Sequence, residues 1–115
     1  MLDNSLDGVI SASLSNCSHL EDIGFEFNNL QGKIPGELGA LRNLCTILLF
    51  QNLLEGEIPH ELSSLHNLKA LNLGHSKLTG TIPVEISNLV NLGFLHIGNN
   101  KLTGEIPAGI GNLLN

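Results

Sequence analysis

The chain has 115 residues, a formal net charge of −6 and 42% hydrophobic residues, almost all of them aliphatic. That length holds one modest domain, and the scattered acidic residues give no basic footprint for nucleic acid. The longest uncharged stretch, 86–100, carries four asparagines and a histidine, too short and too polar to span a bilayer. Met1–Gly8 has no basic start and no apolar core, so no signal peptide is read there.

In chain order, the first segment is a degraded copy, SLDGVIS (5–11), of a phrase that returns as NLQGKIP (29–35), LLEGEIP (53–59), KLTGTIP (77–83) and KLTGEIP (101–107). All four prolines share one phase of a 24-residue period, and five glycines (Gly8, Gly32, Gly56, Gly80, Gly104) share another. A fixed period of this size marks a solenoid. The alternating stretches at 23–25, 47–49, 71–73 and 95–97 predict short strands with one face buried. Asn28, Asn52, Ser76 and Asn100 follow them at one phase. An amide both donates and accepts, so these residues predict a ladder that satisfies the backbone where the chain turns inward, with Ser76 as its weak rung.

After each rung, Leu-x-Gly-x-Ile-Pro predicts a second extended piece that bends at glycine and ends at proline. The return stretch, up to Leu41 or Leu65, predicts helical or 3₁₀ turns. Cys17 occupies a phase otherwise held by Leu41, Leu65, Leu89 and Leu113, so it is expected to be a small core residue. Cys45 lies at a different phase, and no disulfide between the two is expected.

The combined pattern LxxLxLxxNxLxGxIPxxL, seen in 68–86 and 92–110, resembles the plant-type leucine-rich repeat and covers essentially the whole chain. The resemblance implies an α/β-type solenoid, a right-handed superhelix with a short parallel sheet on its concave face and an irregular or 3₁₀ convex side. Residues 1–115 are read as one array of nearly five coils, beginning and ending in mid-coil and without caps. The phrasing of 29–44, NLQGKIPGELGALRNL, is most similar to ectodomains of plant receptor-like kinases. Secreted polygalacturonase-inhibiting proteins use the same repeat and are the alternative, as is a truncated product with no function of its own.

The resemblance implies recognition of a protein or peptide ligand, together with a co-receptor, on the outer side of the plasma membrane or in the apoplast. No membrane contact by this segment is expected. The serine/threonine kinase domain of the parent family has no counterpart here. No catalytic constellation is found and no cofactor or metal is expected. Gly109-Ile-Gly111 and Gly74-His-Ser76 begin like phosphate-loop and nucleophile-elbow motifs but fall in repeat phase. The five histidines form no HExxH, and Glu37, Glu61 and Glu85 read as solvated charges. Asn16-Cys17-Ser18 is an N-glycosylation sequon, which makes Asn16 the candidate acceptor.

The free strand face of a solenoid is where repeats bind partners. Its outward positions give Phe27, Phe50, Gln51, Asn72, His75, Phe94, His96 and Asn99 as candidate ligand-binding residues. Phe50 is expected to face solvent, beside a notch left by Gly74 and Gly98.

Overall fold

The computed structural model describes residues 7–26 and 28–107. Strands β2 (Asp22–Gly24), β4 (Thr46–Leu48), β6 (Ala70–Asn72) and β8 (Phe94–His96) form one parallel sheet in the order β2-β4-β6-β8. Its register runs Ile23, Ile47, Leu71, Leu95, an advance of 24 residues per strand. Sequence period and strand register coincide, so each inward residue stacks on its own counterpart. The ladder also extends past each strand: Leu49 N–H donates to the Asn72 carbonyl at 2.8 Å, and Leu73 N–H to that of His96 at 2.8 Å.

The second extended pieces pair differently. Strands β1 (Asp7–Val9) and β3 (Asn29–Gln31) pair Gly8 with Leu30, and β5 (Glu55–Glu57) and β7 (Lys77–Thr79) pair Gly56 with Leu78. These registers advance 22 residues, two short of the period. A two-residue slip keeps the pleat in phase, so Leu30, Leu54 and Leu78 all stay buried. It displaces each strand by roughly 6.6 Å along its neighbour.

The glycine of each coil answers two demands at once. Gly32, Gly56, Gly80 and Gly104 have φ between +77° and +80°, in the left-handed region that L side chains avoid. Each is also covered by a side chain from the preceding coil. A Cβ on Gly56 would meet Lys33 Cγ at 2.8 Å, and one on Gly80 would meet Glu57 Cγ at 2.7 Å.

Three proline-led returns follow, as 3₁₀ turns at Gly36–Ala40, His60–Ser64 and Val84–Asn88, with an equivalent turn at Ala12–Asn16. Pro35, Pro59 and Pro83 stand just before theirs with φ of −68°, −66° and −59°, close to the value the ring imposes. The convex side packs closely at Gly39, where a Cβ would lie 2.4 Å from the Glu61 carbonyl oxygen. The core is the inward Leu and Ile columns, with Asn28 and Asn52 the buried polar residues among those described.

Cys17 departs from expectation. It is exposed, although its repeat equivalents Leu41, Leu65 and Leu89 are buried. It lines an apolar hollow of about 410 Å³ with Ile10, Leu14, Phe25 and Leu30. A column position is buried only where another coil covers it, and Cys17 caps the C-terminal end of the first of the described 3₁₀ turns. Both cysteines are free thiols. Ile106 is 54% exposed at the opposite end.

Candidate functional site

The chain leaves β4, β6 and β8 through one residue with positive φ each: Gln51 (60°), His75 (56°) and Asn99 (58°). Residues other than glycine pay for that conformation. Two of these backbones are compensated, because Gln51 N–H donates to the Gly74 carbonyl and His75 N–H to the Gly98 carbonyl, each at 2.9 Å. The left-handed residue swings the chain inward, and the next residue is the ladder rung.

Asn52 shows a complete rung. Its Nδ2 donates to the carbonyls of Leu49 (3.0 Å) and, one coil back, Phe25 (2.9 Å), while its Oδ1 accepts from Leu30 N–H (3.1 Å). Asn100 makes the equivalent bonds to Ile97 (3.0 Å), Leu73 (2.9 Å) and Leu78 N–H (3.0 Å), and also accepts from Ser76 N–H (3.1 Å). Asn28 donates to the carbonyls of Phe25 and Glu26. The Ser76 hydroxyl is buried and has no hydrogen-bond partner.

A second asparagine row was missed in the sequence. On the opposite side of the coil, Asn43, Asn67 and Asn91 each donate through Nδ2 to a carbonyl of the preceding coil: Ser18 (3.3 Å), Arg42 (3.3 Å) and His66 (2.8 Å). The signal was present, since the three stand 24 residues apart.

On the concave face the structure gathers Phe50, His75 and His96 into one ring cluster. Phe50 meets His75 edge-on at 5.0 Å between centroids, Phe50 and His96 are 6.0 Å apart, and the two imidazoles 5.9 Å apart. Such spacings are those of packed aromatic pairs. This corrects two expectations. Phe50 is half-buried rather than solvent-facing. The notch beside it is also filled, because the His96 imidazole lies over Gly74, where a Cβ would approach His96 Cε1 to 2.6 Å. The side chain missing from one coil makes room for a ring from the next.

Asn72 fixes that ring. Its Oδ1 accepts from Gly74 N–H at 3.2 Å and lies 3.1 Å from His96 Nδ1. A backbone N–H can only donate, so the Asn72 atom is the oxygen and His96 Nδ1 must carry the proton. Beside the cluster, Asn99 Nδ2 lies 3.1 Å from His75 Nε2. Gln51, His75 and Asn99 are exposed at neighbouring coils, and Phe94 is 40% exposed at β8. Phe27 lies outside the described residues. Asn16 is exposed at the end of its 3₁₀ turn, so its amide is sterically available. No group of three His, Cys, Asp or Glu among the described residues could hold a metal ion. No helix among them is long and apolar enough to cross a membrane.

With this geometry in hand, the family model for the leucine-rich repeat matches residues 67–89 and 91–113. No curated protein matches the chain. Among solved structures, the BIR2 ectodomain of Arabidopsis thaliana is 38% identical with a TM-score of 0.91, over 94% of this chain and 57% of that one. The leucine-rich-repeat ectodomain of the Arabidopsis thaliana receptor kinase GASSHO1/SCHENGEN3, solved in complex with Casparian Strip Integrity Factor 2, is 38% identical with a TM-score of 0.93, over 98% of this chain and 14% of that one. A plant ice-binding protein is 37% identical with a TM-score of 0.91, over all of this chain and 38% of that one. The chain therefore spans little more than half of the first of these relatives and less of the others.

Proposed function

Since the chain is a leucine-rich-repeat solenoid similar to plant receptor-kinase ectodomains, we propose that it is a ligand-sensing segment of such an extracellular region. It recognises a protein or peptide along its concave sheet, with a co-receptor as a second partner. The observation that carries this reading is the Phe50–His75–His96 cluster. The core does not require these residues, yet they form a preorganised ring platform flanked by the amide groups of Gln51 and Asn99. Aromatic anchors ringed by polar groups are the usual make-up of binding hot spots.

The ice-binding relative has a comparable fold, so the choice rests on the chemistry of the face. The concave column here reads Glu26, Phe50, Gly74, Gly98 and does not repeat. The segment's part is binding, not catalysis, and its place is the extracellular side of the plasma membrane.

The test passes a secreted plant peptide fraction over the immobilised chain and over its Phe50→Ala variant, with retained peptides quantified by mass spectrometry. Loss of an anchor ring weakens retention by about 1–2 kcal/mol. Removal of this half-buried ring also lowers folding stability by about 1 kcal/mol, so a melt of each variant accompanies the assay. Equal retention by two folded variants would rule the platform out as the binding site.

A further inference from the structure

The concave face is one-sided in charge. Its described outward positions carry two ionisable carboxylates, Asp22 and Glu26, and no lysine or arginine. Both carboxylates lie in the coil of β2. The coils that follow present Thr46, Leu48, Phe50 and Gln51, then Ala70, Asn72, Gly74 and His75, then Phe94, His96, Gly98 and Asn99. At the sheet's edge, Glu21 and Lys69 share a phase two coils apart.

The two carboxylates differ in how far they are satisfied. Asp22 is exposed, and its Oδ1 accepts from Thr46 Oγ1 at 2.5 Å. Glu26 is half-buried, and its Oε1 is shielded from solvent with no hydrogen-bond partner. Shielding a carboxylate oxygen without a donor is unfavourable. Glu26 shares its column with Phe50, one coil away, so its half-buried carboxylate stands one step along the column from the ring platform.

We infer that the face is built for a peptide with a cationic side chain two residues from an apolar one, the cation at Glu26 and the apolar group on the Phe50–His75–His96 platform. The inference rests on the proposed peptide-binding role and narrows it to one ligand chemistry. The spacing follows from geometry. Adjacent coils are about 4.8 Å apart, and side chains on one face of an extended peptide recur about every 6.6 Å. A lysine or arginine at position i therefore reaches the coil of β2 while the residue at i+2 or i−2 covers Phe50 and His75 of the next two coils and the His96 ring that leans back over Gly74. The cation faces the half-buried Glu26 carboxylate as its counter-charge, and charge assistance strengthens a hydrogen bond between them. An acidic ligand would find no counter-charge on these columns.

The test selects a display library of random linear peptides against the intact chain, its Glu26→Gln isostere and the Glu26→Lys reversal. Selection on the native chain is expected to enrich lysine or arginine two positions from a large apolar residue. Glu26→Gln should weaken the selected peptides by about tenfold and erase the basic preference while keeping the apolar one. Glu26→Lys should move the preference to aspartate or glutamate, a gain that misfolding cannot produce. Peptides that compete for the Phe50 platform but show no basic preference would overturn this inference and leave the binding role standing. Failure to enrich any peptide sensitive to Phe50→Ala would overturn both.

Discussion

Asn52 and Ser76 occupy the same place in adjacent coils, 24 residues apart, and the fold treats them differently. At Asn52 one carboxamide closes three backbone bonds in two coils. At Ser76 the hydroxyl is as enclosed and closes none. The strands, the glycine bend and the proline turn around the two are alike. A solenoid coil therefore tolerates an empty rung, because its neighbours on either side still stack. The interior polar row adds to stability rung by rung without deciding the fold.

That contrast can be broken most forcefully at the complete rung. Asn52→Ala leaves the Leu49 carbonyl and the Leu30 N–H without their partner in a buried corner, and takes one of two amide donors from the Phe25 carbonyl, which keeps Asn28; each unpartnered group costs about 1–3 kcal/mol. Urea denaturation should show a loss of about 3 kcal/mol or more, and a midpoint equal to that of the native chain would contradict the ladder's role. Filling the empty rung tests it from the other side. Ser76→Asn brings an oxygen to the Leu54 N–H, as Asn52 does for Leu30 and Asn100 for Leu78. It should raise stability by about 1 kcal/mol, and hydrogen exchange at the Leu54 amide should slow toward the rate at Leu30. An unchanged Leu54 rate would mean that the corner cannot seat the amide. The smallest effect belongs to Ser76→Ala, which removes an unpartnered hydroxyl. It should fall within about 0.5 kcal/mol of the native chain, and a larger loss would reveal a bond from Ser76 in solution.

The same division runs through the candidate site. The Gln51, His75 and Asn99 row was legible in the sequence because it follows the period. Its positive φ was not, since no glycine marks it. The ring cluster was only half legible. His75 and His96 stand in different columns and read as separate groups, and their meeting depends on a glycine in the neighbouring coil. Phe50 was found as an exposed aromatic and turned out half-buried for the same reason.

The sequence by itself determined the 24-residue period, the inward Leu and Ile columns, the glycine bend and the proline-led return. All of these are local demands of backbone conformation and burial, repeated until they cannot be misread. Tertiary structure decided what depends on the adjacent coil. It set the two-residue slip of the second strand row, left Cys17 at an uncovered position, and leaned His96 across Gly74 onto Asn72. A side chain's direction on a stacked sheet is chosen by the space the next coil leaves for it, and that space lies some two dozen residues away along the chain.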